Sequence, residues 1–324
     1  MDNSSFKNSI FHCYLRLSKP TVDYWGKWNF NLSQKWIKRA GKIFTRSLIA
    51  VLFLYVFVPV VDAQTTTVSA KKPEVFAPGI ISRASHDAVP AFTPDGHTVF
   101  FQQSNGSGST ILISHLEHGH WSQPIIASFS GKWNDMEPAM SPDGSYLLFI
   151  SSRPIKSGGK QIDGYFNGKQ QSGQGGNIWR VDRTRSGWGK PHRLPTVINS
   201  NTSIYAPSIA ENGNLYFIQP DKSTQNFRLF CAKWNDGHYS NPEPLPFSTG
   251  ETTDVDPAIS PDEHFLVFGS SRKPAADIDL FIVFQDNQGW DKPTHLGTVV
   301  NSSGSDAEPR LSPDGKRYIS RANV

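Results

Sequence analysis

Beyond residue 64 the chain is a succession of short apolar runs separated by polar turn residues. YLLFI at 146–150 and FLVF at 265–268 are continuous apolar runs of strand length, and each is followed by another, NIWRV at 177–181 and DLFIVF at 279–284. Runs this short, rich in aromatic and β-branched residues and bounded by Gly, Pro, Asn and Asp, predict strands. Ahead of YLLFI stands SPDG at 141–144. In such a turn Pro presets φ, Asp bonds the local backbone and Gly accepts the left-handed conformation. The pattern thus predicts a hairpin followed by a third strand. A fourth element is introduced by an aromatic three residues before a proline: Trp121 and Pro124, Trp188 and Pro191, Tyr239 and Pro242, Trp290 and Pro293.

The same phrase recurs five times, as PAFTPDG at 90–96, PAMSPDG at 138–144, PSIAENG at 207–213, PAISPDE at 257–263 and PRLSPDG at 309–315. The leading prolines are 48, 69, 50 and 52 residues apart. The long interval contains PIKSGGKQIDGYFNGKQQSGQGG at 154–176, which is rich in Gly, Gln and Ser, has no apolar period and reads as a loop inserted between two strands of the second unit. Four strands in about fifty residues is one blade of a β-propeller, so the predicted fold is all-β, built of four-stranded blades. One aromatic at a fixed place in each unit is expected to pack between neighbouring blades rather than to stack on a sugar.

EPAMSPDGSYLLFISSR at 137–153, DPAISPDEHFLVFGSSR at 256–272 and EPRLSPDGKRYISR at 308–321 resemble the PD40, or WD40-like, repeat of TolB-type propellers. The resemblance covers residues 72–324 and is specific for fold. It implies several jobs, among them periplasmic binding, envelope assembly and the non-catalytic propellers joined to serine peptidases. Lys72 and Pro73 through Pro90 resemble Lys292 and Pro293 through Pro309, so the start of the propeller reads as the outer strand of a blade whose inner strands come from the C-terminus. That count gives five blades, with six, as in TolB, the alternative. The fifth unit lacks a third strand, which predicts an incomplete closing blade with a gap or an exposed edge.

Residues 1–63 read differently. The stretch 48–61, LIAVLFLYVFVPVV, is apolar and follows Lys35, Lys38, Arg39, Lys42 and Arg46, and Val61, Asp62 and Ala63 form a small-residue site. This is the pattern of a signal peptide or, uncleaved, of a signal anchor. Either places a domain of residues 64–324 outside the cytoplasm, periplasmic or secreted, with membrane contact only through the N-terminal segment. The formal net charge of +4 belongs to this leader, since residues 64–324 hold 23 basic and 25 acidic residues. No nucleic-acid partner is therefore expected.

The candidate site residues are acids flanking the repeat. Asp87, Asp135, Asp254 and Asp306 stand three residues ahead of the leading proline, with Ile204 breaking the series, and Glu137, Asp256 and Glu308 stand immediately ahead of it. Radial repetition gathers them near one mouth of the central channel. There they would raise one another's pKa unless a cation is bound, and Ca²⁺, a basic peptide or another cationic ligand is the candidate. The competing role is structural, with Arg153, Arg272 and Arg321 recurring as ion-pair partners. His115, His118 and His120 align with a hairpin turn and read as solvated, and Cys231 reads as a small apolar core residue. There is no Gly-x-Ser-x-Gly elbow, Walker loop or Cys-x-x-Cys pair. No catalytic residue and no cofactor other than Ca²⁺ is predicted. The expected function is a non-catalytic exported binding or scaffold propeller for a protein or peptide in the cell envelope. The alternative is a propeller hydrolase or lyase acting on an envelope or extracellular polysaccharide.

Overall fold

The computed structural model describes residues 8–16, 69–70, 74–83, 86–106, 108–166, 169–315 and 317–323. All regular structure among them is β. Five antiparallel sheets of four or five strands follow one another along the chain, accompanied by two small two-stranded hairpins. The second blade is representative. Asp135–Met140 pairs with Tyr146–Ser151, which pairs with Asn177–Thr184, and the short strands Gly187–Trp188 and His192–Arg193 lie outermost. The turn after the first strand is tied by its own side chains. Ser141 Oγ donates to Asp143 Oδ1 at 2.7 Å, the Ser145 amide donates to the same oxygen at 3.0 Å, and Gly144 takes φ +70°. These bonds hold the Asp143 carboxyl below the usual carboxylate range.

The five first strands, His86–Phe92, Asp135–Met140, Tyr205–Ile209, Asp254–Ile259 and Asp306–Leu311, contact one another in ring order, the last returning to the first. The ring of blades is a propeller. Its core lies between blades, because a single sheet leaves one apolar face exposed. Leu148 and Ile150 of the second blade pack with Leu215 and Phe217 of the third, and Tyr216 and Ile218 of the third pack with Leu266 and Phe268 of the fourth. The aromatics before the prolines serve this packing: Trp188 meets Phe100 of the first blade at 5.2 Å and Trp290 meets Tyr216 of the third at 6.5 Å, both edge to face.

The described residues form five blades, not six. The closing blade also corrects the expectation of a gap. Asp306–Leu311 pairs with Arg317–Asn323, along which Asn8–Arg16 runs antiparallel as the third strand, and Ser69–Ala70 and Glu74–Val75 complete the outer edge. The seam between the two ends of the chain is thus where the repeat placed it, with the missing strand supplied from the N-terminal segment. Apart from Asn8–Arg16, the segment read as a leader, 1–63, lies outside the described residues. No helix among the described residues is long and apolar enough to cross a membrane.

Candidate functional site

The two series of acids occupy different environments. Asp135 is fully buried, and Arg153 Nη2 at 2.8 Å, Ser130 Oγ at 2.9 Å and Ser151 Oγ at 2.6 Å all donate to it. Burial pushes its pKa up against the pull of Arg153. Asp254 repeats the arrangement in the fourth blade, with Arg272 Nη2 at 2.7 Å and Ser248 Oγ at 2.7 Å donating, together with Ser270 Oγ. In each case the arginine lies against two aromatic rings of its own blade, Phe149 and Trp179 for Arg153, Phe268 and Phe281 for Arg272. Asp87 accepts from Arg83 Nη2 at 2.9 Å and from Gln103 Nε2 at 3.2 Å. Asp306 accepts from the amide and hydroxyl of Ser302 at 2.6 and 2.9 Å, and burial raises its pKa. Ile204, where the series breaks, is buried in the apolar cluster between the second and third blades. Asp135 and Asp254, through arginine and serine, and Asp87, through Gln103, tie the first strand to its own blade, whereas Asp306 bonds Ser302 in the segment just before its strand.

The second series faces inward, for a backbone reason. In all five first strands the residue before the leading proline takes a left-handed φ: Val89 at 54°, Glu137 at 52°, Ala206 at 52°, Asp256 at 53° and Glu308 at 58°. Each coincides with a slip in the pairing register, the mark of a β-bulge. Proline has no N–H to give the ladder, so the bulge falls where the ladder is already broken. In a regular strand Asp135 and Glu137, two residues apart, would share a face. The bulge separates them.

The inner acids link neighbouring blades. Glu137 Oε2 accepts from the amide of Ala206 at 2.5 Å, and Asp256 Oδ2 accepts from the amide of Glu308 at 3.1 Å, so each carboxylate meets the bulge of the next blade. The amide of Glu137 donates to Gln102 Oε1 of the first blade at 3.1 Å. Desolvation, then the nearby Asp256, pushes Glu137 up to about 8, with Arg310 pulling the other way. Arg310, on the last first strand, is 6% exposed and interacts with Asp256, Glu137 and Glu308. Its Nη1 donates to the Pro309 carbonyl at 2.9 Å, while Nε and Nη2 have no hydrogen-bond partner among the described residues. It also lines a cavity of about 310 Å³ walled by repeat prolines such as Pro142, Pro207 and Pro261.

Glu137 and Asp256 in turn line a larger, open cavity of about 1080 Å³. One wall is the insertion, which forms a hairpin of Gly164–Phe166 and Lys169–Gln171 and contributes Tyr165, Gln171 and Gln174. The hairpin base is pinned to its surroundings. Tyr205 Oη donates to the Gln174 carbonyl at 3.0 Å, Asn134 Nδ2 donates to Gln174 Oε1 at 2.9 Å, and a Cβ on Gly176 would collide with the Tyr205 ring and the Ile204 carbonyl. Burial, with Glu137 adding, pushes Tyr205 up to about 12. The remaining wall includes Phe227, Ile218 and Asp277.

Of the predicted acids, then, Glu137 and Asp256 meet at this cavity with Glu308 in the same channel cluster, Asp87, Asp135 and Asp254 are bound within blades, and Asp306 is held by Ser302 at the entry to its strand. Among the described residues no group of three or more His, Cys, Asp or Glu side chains is arranged to hold a metal ion. His115, His118 and His120 are exposed around a turn in which His118 has φ +51°, and Cys231 is half-buried, its thiol pushed up to about 11 by burial. Sequence reasoning passed over Arg310, Tyr205 and Asp277. Arg310 had a visible signal, since the other four repeats carry Ala91, Ala139, Ser208 and Ala258 at its position.

No protein-family model matches the chain, and no curated protein matches it. Solved structures do. TolB from Acinetobacter baumannii is 17% identical over 80% of this chain and 47% of that one, with a TM-score of 0.40. This chain thus spans about half the length of that TolB, at 47%. A protein assigned as TolB from Agrobacterium tumefaciens is 16% identical over 78% of this chain and 95% of that one, TM-score 0.42. An endo-arabinase from Bacteroides thetaiotaomicron is 13% identical over 72% and 88%, TM-score 0.45. The chain's own five antiparallel sheets, whose first strands contact one another in ring order, make it a β-propeller.

Proposed function

We propose that the chain is a non-catalytic exported propeller, periplasmic or secreted, that binds a protein or peptide of the cell envelope and keeps Asn8–Arg16, since cleavage after residue 63 or a membrane crossing at 48–61 would take that strand from the closing blade. The observation carrying this reading is the open cavity of about 1080 Å³ with the pinned insertion as one wall. Small-molecule sites occupy roughly 300–1,000 Å³ and enclose most of their ligand. An open basin with a preformed wall suits a segment of polypeptide, and loops on a rigid scaffold are where recognition concentrates. One feature favours a second reading, a hydrolase or lyase acting on a polysaccharide. Glu137 retains a proton near neutral pH beside Asp256, a pairing that general acid and base catalysis can use.

A photo-crosslinking residue placed at Tyr165, in the full chain incubated with envelope extract, tests the first reading. A discrete polypeptide adduct is expected from Tyr165 and none from Arg185, on an exposed outer turn. Equal labelling at both positions would remove the reading. Turnover of envelope glycans that disappears in Glu137→Gln would replace it with the second.

A further inference from the structure

The smaller cavity, of about 310 Å³, takes lining residues from the first strands of all five blades. Four of the repeats put a small residue on its wall at one position, Ala91, Ala139, Ser208 and Ala258, and the fifth puts Arg310 there. One long cationic side chain therefore stands in a ring of small neighbours. Phe92, Ile259, Leu311 and the repeat prolines make much of the remaining wall apolar, and the exposed Glu211 is the other charged residue of the lining.

Arg310 is 6% exposed, and the nitrogens it leaves without a partner are Nε and Nη2. Those two share one edge of the planar guanidinium with their N–H bonds side by side, the fork that grips both oxygens of a carboxylate. The remaining nitrogen, Nη1, is taken up by the Pro309 carbonyl. Glu137, Asp256 and Glu308 act on the charge of Arg310, yet none of them accepts from this edge. An unmet buried donor is costly, the more so on a charged group. Ser208 Oγ accepts from the Ile259 amide at 3.1 Å, and its own O–H can turn to an acceptor in the same space.

Two parallel donors call for two oxygens in one plane. The acids near Arg310, and Glu211, disfavour a ligand with a second negative charge, and the apolar wall favours an apolar body. The space is about ten times the share of one water in the liquid, which admits a short branched or aromatic acid. We propose that this cavity is a binding site for a small apolar monocarboxylate, its two oxygens on Nε and Nη2 of Arg310 and its body against Phe92, Ile259 and Leu311. The site is separate from the cavity walled by the insertion and stands whether or not that cavity takes a polypeptide.

The test is titration calorimetry on the full chain with isovalerate, benzoate, isovaleramide, inorganic phosphate and the peptide N-acetyl-glycyl-glycyl-leucine, joined to NMR observation of the arginine Nε–H groups. Isovalerate or benzoate is expected to bind at least about tenfold more tightly than isovaleramide, which keeps the shape but loses the charge and one acceptor oxygen, and more tightly than phosphate. One Nε–H signal should move on addition of the acid. That signal should be missing from Arg310→Lys, which keeps the charge without the fork and should bind the acid at least about tenfold more weakly. Glu211→Gln removes a repelling charge from the exposed part of the lining and should tighten binding by up to about threefold. It decides the matter together with the ratio of acid to amide if Arg310→Lys does not fold. Equal binding of acid and amide, no binding of either acid, or tighter binding of phosphate would overturn the site. So would acid binding that survives undiminished in Arg310→Lys or leaves every Nε–H signal in place. Tighter binding of the peptide than of the free acids would assign the cavity to a chain terminus and overturn the small-acid ligand.

Discussion

Asp135 and Glu137 are two residues apart on one strand, share an acidic side chain and recur with the same repeat, yet they do opposite things. Asp135 is sealed inside its blade by an arginine and two serines, whereas Glu137 reaches out of its blade to the amide of Ala206 in the next and to the floor of an open cavity. Asp254 and Asp256 show the same division two blades on. The difference is made by the backbone. One left-handed residue per first strand turns a side chain that would have joined its neighbour in the sheet into one that faces the axis. The outer acids therefore belong to stability and the inner ones to the channel, and substitutions should separate the two.

The largest effect is expected at the outer set. Arg272→Ala leaves Asp254 fully buried with hydroxyl donors alone, and removing one partner of a buried pair costs about 3–5 kcal/mol. The urea midpoint of the full chain should fall accordingly. Asp254→Asn combined with Arg272→Gln should recover part of the loss, because the stranded charge is gone. Glu308→Gln, at the inner set, should cost much less. Equal losses for Arg272→Ala and Glu308→Gln would erase the distinction.

Glu137 offers a sharper contrast, because its effect should have the opposite sign. Its folded pKa of about 8 lies above its ordinary value of 4.5, so the folded chain holds a proton that the unfolded chain has lost between those limits. The stability that the protonated carboxyl contributes is complete below about pH 4.5 and is lost as pH rises through about 8. Glutamine keeps an acceptor for the Ala206 amide and cannot ionise. Glu137→Gln should match the parent near pH 4 and exceed it by on the order of 2–3 kcal/mol at pH 8.5, since each pK unit is worth about 1.4 kcal/mol and access from the cavity weakens the effect. Melting temperatures taken across that range would show the two curves diverging. Parallel curves would mean that Glu137 is solvated like a surface acid.

Fold and site were not equally legible in the sequence. The turn phrase, the apolar runs and the spacing of prolines each report a local requirement, and locally determined features survive in sequence. They sufficed for the blades, the insertion point and the seam between the chain ends. The third strand of the closing blade was not legible, because Asn8–Arg16 is separated from its partner Arg317–Asn323 by nearly the whole chain and carries none of the repeat phrase. The outer knots could be read in part, from the recurrence of Arg153 and Arg272 in step with Asp135 and Asp254. The separation of the two acid series could not. It depends on left-handed conformations at Val, Glu, Ala and Asp, residues that give no sign of adopting them, whereas Gly144 announces its turn.

That hidden conformation can be tested where no charge confuses the outcome. Ala206 has φ +52° and is fully buried, and Ala258, on the first strand of the fourth blade, is 2% exposed within ordinary strand backbone. At Ala258 a change to glycine loses a buried methyl, worth about 0.8 kcal/mol, and adds backbone entropy to the unfolded chain, about 0.5–1 kcal/mol, so a loss of about 1–2 kcal/mol is expected. At Ala206 the same two terms apply, but glycine also removes the 1–2 kcal/mol or so that an L-residue incurs in the left-handed region, and the net change should be close to zero. The difference between the two denaturation midpoints isolates the conformational term, the smallest of the effects considered and the most direct. Equal losses at the two sites would make position 206 an ordinary strand residue, and the turning of Glu137 and Asp256 toward the axis would lose its physical basis.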